Sequence, residues 1–272
     1  MKKKLKADMR TELTELRCFK VVKSNEIIQK SRFDLHVQEQ KIILYLISKI
    51  KPEDMELKEH IFEIQDFCQI CGLDSINGAN YIYIKKTLKG LRDKSIWITL
   101  DSGSETTLAW IDYVTMHPNS GKIMIKINDM MKPYLLQLKN HFTQYELLYI
   151  LAMKSQYSLR LYELLKSYEY QEKKIFDIDE LKKRLSAEKY RLFADFNKRV
   201  LSIALREVNA LSDITVTYEI IKESRKFAKI AFLIKLKTDT KERLITWAKI
   251  DKVIAPDEET WYERVYNEKP DV

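Results

Sequence analysis

Glycine is scarce in this chain. Five occur among 272 residues, and none follows Gly121. A phosphate-cradling loop needs closely spaced glycines so that backbone amides can approach the anion, and neither G-x-x-x-x-G-K-[ST] nor G-x-G-x-x-G is present. Cysteine is equally thin. Cys18, Cys68 and Cys71 are too few for a disulfide framework. Cys68 and Cys71 form a C-x-x-C, but no second pair and no nearby His completes a zinc site. The expectation is that they pack in a helix of a reducing cytoplasm. The four histidines (His36, His60, His117, His141) are scattered, with no H-x-H pair to assemble a metal locally. No apolar run approaches the length of a membrane span. The lysine-rich start, Lys2, Lys3, Lys4 and Lys6, is not followed by an apolar signal core, so export is not expected. No metal, no cofactor and no catalytic centre are expected.

What the chain does hold is charge and core. Hydrophobic residues make up 45% and charged residues 32%, the composition of a globular protein with room for two domains of ordinary size. The net charge of +8 favours a polyanionic partner.

The stretch from Tyr190 to Lys237 organises the rest. Phe193, Phe196, Val200, Ala204, Val208 and Leu211 recur every three or four residues, which places them on one face of a helix. Lys198, Ser202, Arg206 and Asn209 recur the same way on another face, with Arg199 alongside. A hairpin follows: Ile214, Val216, Tyr218 and Ile220 alternate with polar residues, as do Ile230, Phe232, Ile234 and Leu236 in the return strand. The connection carries Lys222, Arg225, Lys226 and Lys229. From Lys189 to Lys237 there are 11 Lys/Arg against 5 Asp/Glu, a net of +6. A cationic helix followed by a hairpin with a cationic tip is the end of a winged helix, whose helix enters a major groove while the wing lies along phosphates.

The N-terminal half reads similarly. His36 to Ile50 is a helix stopped at Lys51-Pro52. Ile61 to Ile64 is a short strand, Gln65 to Cys71 a short helix, and Asn77 to Asn80 a turn. Tyr81 to Lys94 is a second strong helix, with Tyr81, Ile84, Leu88 and Leu91 on one side and Lys85, Lys86, Lys89, Arg92 and Lys94 on the other. Ser95 to Asp101 and Leu108 to Met116 form a hairpin around Ser102–Thr106, and Lys122 to Ile127 is a third strand. Thr143 to Ala152 and Gln156 to Tyr170 read as amphipathic helices. Phe62-Glu-Ile-Gln-Asp and Phe176-Asp-Ile-Asp-Glu share F-x-I-x-[DE], and each is followed by a short helix, a long basic helix and a hairpin. Self-similarity at this scale means two copies of one unit. The expected fold is therefore α+β, two tandem winged-helix domains: a basic arm at 1–20, a first domain at 21–139, a second at 140–237 and an acidic tail at 238–272. That tail holds 9 acidic and 6 basic residues. Leu244, Ile245, Trp247, Ile250 and Trp261 suit a short docking helix there, but a loosely ordered tail is the preferred reading.

Four runs carry a family resemblance: VVKSNEIIQKSRFDLHVQEQKIILYLISKI, YIYIKKTLKGLRDKSIWI, QYSLRLYELLKSY and FNKRVLSIALREVNALSDITVTYE. Across roughly Val21 to Lys237 the chain resembles the replication initiator proteins of iteron-type, theta-replicating bacterial plasmids. That resemblance implies a plasmid replication initiator that is not an enzyme. Its second domain would read directly repeated double-stranded DNA at the origin through its third helix. The first would contact DNA more loosely and serve dimerisation. Monomers would open the origin, homodimers would repress their own promoter operator, and a host replication initiator and replicative helicase would be recruited, all in the bacterial cytoplasm without a membrane.

Read physically, Lys198, Arg199, Ser202 and Arg206 are the base and phosphate contacts of the second domain, with Asn197 and Asn209 weaker candidates because Asn near a helix end is often a cap. Arg225 and Lys226 belong on the wing, against phosphate or a minor groove. Lys85, Lys86, Lys89 and Arg92 are the equivalent set of the first domain; their bland alternative is a solvated helix face. Strands at Trp97–Leu100 and Ile123–Ile127 are candidates for pairing across a two-fold axis, against the plainer use as an internal sheet. Trp97 and Trp110 are read as core anchors. Two rivals remain. A rolling-circle nickase needs a metal between paired histidines. A winged-helix transcriptional regulator without an initiation role needs a ligand domain, for which the repeat leaves little room.

Overall fold

The computed structural model describes residues 19–64, 78–117, 120–223 and 226–254. The amino-terminal arm up to Cys18, the expected helix Gln65–Cys71 with Cys68 and Cys71, and Trp261 lie outside them. Among the described residues no helix is long and apolar enough to cross a membrane. The chain divides into two compact units between Leu151 and Ala152.

The first unit begins and ends in one ribbon. Strand β1 (Lys20–Ser24) pairs antiparallel with β8 (Phe142–Glu146), Val22 opposite Gln144. This is why the division falls later than the expected 139/140. The segment from Thr143, expected as helix, has strand periodicity: Thr143 and Tyr145 are buried while Phe142 and Gln144 are exposed. A short helix α4 (Lys132–Leu135) precedes β8, and helix α5 starts only at Leu147 and runs to Ala152. Helix α1 (Asn25–Gln29) and β2 (Ser31–Arg32) lead to α2 (Val37–Ser48), which is buried on all sides from Glu39 onward. A helix buried all round sits in a core, and its polar side chains hydrogen-bond there, although Gln40 Oε1 accepts no hydrogen bond. Lys41 Nζ donates to Leu151 O at 2.6 Å, and Gln40 Nε2 to Leu35 O at 2.8 Å. Glu39 accepts from His36 N at 2.7 Å and from Lys94 Nζ at 2.7 Å.

Strand β3 (Glu59–Glu63) and helix α3 (Gly78–Asp93) follow. The expected turn at Asn77–Asn80 is already helical from Gly78. At Gly90 a Cβ would stand 3.0 Å from Glu39 Oε1, so α3 approaches the buried carboxylate of α2 most closely where it has no side chain. After α3 the expected three-strand order is rearranged. β4 (Ser95–Thr99) and β5 (Glu105–Ala109) form a hairpin closed at Gly103, φ +83°, but its sheet partner is β2. The expected strand 108–116 breaks at Trp110, which is 1% exposed and meets Phe33 edge-on at 5.1 Å. Beyond it, β6 (Ile111–His117) joins β7 (Lys122–Ile127) and β3 in the order β3-β7-β6. The winged-helix sheet is this second one, and the 102–106 tip belongs to an inserted hairpin. β4 and β7 are the central strands of their sheets. β7 is paired along its length by β3 and β6, and β4 is paired by β5 and, at Trp97 and Ile98, by β2, so both serve as internal strands of their sheets rather than as edges for a two-fold partner. Trp110 is core, whereas Trp97 is 42% exposed with the Arg32 guanidinium 5.7 Å from its ring.

The second unit follows the same order without the insertion. It runs α6 (Gln156–Lys166), β9 (Lys173–Asp177), α7 (Ile178–Arg184), a long third helix, β10 (Ile214–Glu223) and β11 (Lys226–Leu236). The sheet order β10-β11-β9 mirrors β6-β7-β3. The F-x-I-x-[DE] motif marks the same place twice. Phe62 in β3 lies 5.2 Å from Tyr45, and Phe176 in β9 lies 6.0 Å from Phe232. Burying such a ring contributes about 2–3 kcal/mol. The chain from Thr240 to Ile254 is helix α9 rather than loose tail. Thr246 and Ile250 are buried. Lys237 at its foot donates to Asn209 O (2.7 Å), Ser212 O (2.8 Å) and Thr246 Oγ1 (3.1 Å), tying it to the end of the third helix.

Candidate nucleic-acid interface

The third helix of the second unit, α8, is α-helical over Phe193–Phe196, makes a π turn over Asn197–Leu201, and is α-helical again over Ser202–Leu211. Phe196, Val200, Leu201, Ala204 and Val208 are fully buried and Leu211 is nearly so. On the far side Lys198, Arg199, Ser202 and Arg206 are all exposed. Among the described residues Lys198 and Arg206 form no ion pair, while Arg199 Nε stands a loose 3.9 Å from Asp195 Oδ1. A cation held on a rigid helix with no internal carboxylate keeps its charge available for an external anion.

Two expected members of that face are occupied elsewhere. Asn209 Nδ2 donates to Val216 O at 2.9 Å, and Val216 N donates to Asn209 Oδ1 at 2.7 Å. The side chain acts as one more rung of β10 and is spent on the helix–strand joint. Asn197 Oδ1 accepts from Tyr218 Oη at 2.8 Å. Glu207 is likewise architectural. Its Oε2 accepts from Lys154 N and Ser155 N, both at 3.1 Å, and so holds the lead-in to α6, whose N-cap Ser155 accepts from Tyr157 N at 3.2 Å. The joint is completed by Lys166, which bonds Asp213 Oδ2 at 2.6 Å, and by Tyr162 Oη on Asp213 Oδ1 at 2.9 Å. Burial alone would lower the Lys166 pKa, but the Asp213 and Glu169 carboxylates outweigh it and hold it above 10.5.

On the wing, Arg225 lies outside the described residues. Lys226 opens β11, and its backbone pairs with Glu223. Lys222 Nζ stands 5.0 Å over the ring of Phe227, which meets Phe193 of α8 at 4.8 Å, so the base of the wing is packed on the helix. Lys229 is paired with Glu223 at 2.7 Å and is less available than its sequence position suggests.

In the first unit, Lys85, Lys86, Lys89 and Arg92 are exposed on α3, opposite the buried Ile84, Leu88 and Leu91. Arg92 Nη1 is 3.7 Å from Asp93, and Lys94 is engaged with Glu39. Two residues on this face escaped the sequence reading: Ile82 is 70% and Tyr83 45% exposed. Their spacing from Lys86 and Lys89 is the signal that finds them, since i, i+4, i+7 share a helix face. Among the described residues there is no group of histidine, cysteine and acidic side chains able to hold a metal ion.

Known proteins resemble the chain in the same two pieces. A family model described as "Initiator Replication protein, WH1" matches residues 20–166, and one described as "Initiator Rep protein, WH2" matches 177–234. The chain is 31% identical over 151 residues to the PI protein of Escherichia coli, covering 48% of this chain and 50% of that one. It is 28% identical over 229 residues to a replication initiation protein of Escherichia coli, covering 79% of this chain and 69% of that one. It thus spans about half the length of the first relative and about two thirds of the second. The crystal structure of Pi initiator protein in complex with iteron DNA shares its fold at a TM-score of 0.67 and 23% identity, over 82% of this chain and 99% of that one. With a first-domain model covering more than half of it and a second-domain model following in order, the chain belongs to the family of initiator replication proteins.

Proposed function

We propose that this protein is a plasmid replication initiator that binds directly repeated double-stranded DNA, and that it is not an enzyme. The observation that carries the reading is the exposed stripe of Lys198, Arg199, Ser202 and Arg206 on α8, backed by a buried apolar face and fixed to its hairpin by polar side chains. Arg and Lys suit guanine edges and phosphates, and a helix so mounted can read a major groove. Arg225 and Lys226 on the wing are proposed phosphate or minor-groove contacts, and Lys85, Lys86, Lys89 and Arg92 the more loosely reading set of the first unit. Two such contacts cover about two turns of duplex. The iteron DNA held by the Pi protein in its crystal structure supports direct repeats as the target.

On this reading the monomer opens the origin and recruits a host replication initiator and helicase in the bacterial cytoplasm, and the homodimer represses the protein's own promoter. The initiating role is tested by supplying the protein in trans to a suicide vector carrying the origin. Replication supports an initiator; promoter repression without replication supports the rival transcriptional regulator. The base-reading role is tested by Arg206→Ala, expected to weaken binding to the repeat by about 1–3 kcal/mol, the value of one base contact. Gel-shift titrations in which repeat and random duplex weaken equally would reduce Arg206 to a backbone contact.

A further inference from the structure

The four-residue spacing of α8 contains a difficulty that an ordinary α-helix does not resolve. Phe196, Val200, Ala204 and Val208 are all fully buried. Lys198, Ser202 and Arg206 repeat the same interval on the exposed side. In an ideal α-helix each four-residue step overshoots a turn by about 40°, so three steps would swing the buried set about 120° around the axis. The π turn at Asn197–Leu201 removes much of that drift. Its wider loop closes from Ser202 N to Asn197 O, which inserts one residue and leaves both Val200 and Leu201 buried side by side. The exposed set is realigned with the buried one. π turns of this kind are rare, cost hydrogen-bond geometry and cluster at functional sites.

One side chain holds the residue that closes this turn. Tyr218 stands in β10 with its ring 6.3 Å from that of the core residue Phe232, and its hydroxyl donates to Asn197 Oδ1 at 2.8 Å. We infer that Tyr218 is a positioning residue for sequence readout: through Asn197 it latches the π turn and so keeps Lys198 and Arg199 in line with Ser202 and Arg206. This rests on the reading of α8 as the DNA-reading helix. Tyr218 itself touches no DNA. Without the latch the turn relaxes towards ordinary helix, and the part of the stripe before Ser202 rotates relative to the part after it. Non-specific attraction, which depends on total charge, is untouched. Discrimination between sequences, which depends on where the side chains aim, is lost.

The test uses the full chain and two probes: a duplex recovered from a random library by the wild-type protein, and a scrambled duplex of equal length. Tyr218→Phe removes only the hydroxyl. It is expected to weaken binding to the recovered duplex about tenfold, the scale of one misplaced base contact, with scrambled-duplex binding changed less than twofold. Asn197→Ala should do the same, and the double variant should lose no more than either single one. Tyr162→Phe removes a comparable hydroxyl bond, to Asp213, away from the turn; it should lower stability while leaving the ratio of the two affinities intact. If Tyr218→Phe keeps the wild-type ratio, or if Tyr162→Phe lowers it equally, Tyr218 is structural and the inference falls. If the wild-type protein recovers no preferred duplex at all, the failure lies with the proposed function, and the latch falls with it.

Discussion

Asn209 separates structure from readout more sharply than any other residue on α8, because its sequence position suits both roles. Asn209→Ala removes two hydrogen bonds at once and leaves the amide and carbonyl of Val216 without their partners in a half-buried joint. An unsatisfied buried polar group costs about 1–3 kcal/mol. With two groups affected, and some relief from water reaching the joint, the loss is about 3 kcal/mol. For a unit of roughly 100 residues each kcal/mol moves the melting temperature by about 4–8 °C, so the melting temperature of the second unit should fall by about 12–24 °C. All of these contacts lie within that unit, so calorimetry should leave the first unit's transition where it was. Asn209→Asp keeps an acceptor for the Val216 amide and loses only the donor to its carbonyl, so it should fall between wild type and Asn209→Ala. The ratio of repeat to random binding, measured well below both transitions, should change less than twofold. A melting shift under about 3 °C would refute the clamp. A fully folded variant that had lost sequence discrimination would return Asn209 to the reading face.

Other residues make shorter predictions. Glu207→Ala should lower stability by about 1 kcal/mol in denaturant titration, the scale of a lost helix N-terminal cap, without altering the ratio of repeat to random binding; an altered ratio would make Glu207 a contact. His60 in β3 has its pKa held below 6.5, first by burial and then by the Lys49 charge. Below pH 6.5 the unfolded chain takes up a proton that the folded one refuses, so the first unit should lose stability as the pH falls from 6.5 towards the folded value. His60→Gln should flatten that slope in urea titrations at pH 7 and pH 5, and an unchanged slope would assign the loss to another group.

Much of this architecture is legible in the sequence because its periodicities are clean. The alternation of Ile123, Ile125 and Ile127 in β7, and of Ile230, Phe232 and Ile234 in β11, marks central strands buried on one face. The paired F-x-I-x-[DE] motifs occupy corresponding edge strands. Reading fails where one pattern serves two purposes. Leu108 to Met116 looks like a single strand, yet Trp110 turns the chain from one sheet into another, and no local signal separates the halves. Thr143 and Tyr145 alternate for only two turns of the pleat before the apolar run from Leu147, so the helix beyond captures the strand. The helix Thr240–Ile254 is understated by its charge, because its anchor lies outside it, in the buried ammonium of Lys237.

The run Glu207-Val208-Asn209 shows why resemblance and mechanism need separate arguments. It lies near the end of the helical part of FNKRVLSIALREVNALSDITVTYE, one of the runs that carry the resemblance, yet none of its three residues is on the exposed stripe. Glu207 holds the lead-in to α6, Val208 is fully buried, and Asn209 completes the pairing of β10. Each ties the helix to a different neighbour: the first helix, the core and the hairpin. A helix that must present Lys198 through Arg206 at fixed angles needs such fixing at its far end, since a slack joint would spend binding energy on ordering the helix each time it met DNA. On the proposed reading Glu207, Val208 and Asn209 mount the helix, and sequence selection falls to the exposed Lys198, Arg199, Ser202 and Arg206. Exchanging these four while keeping Glu207, Val208 and Asn209 should therefore change which repeat is bound without changing the melting temperature. A swap that unfolds the unit would place the readout and the mounting in the same residues.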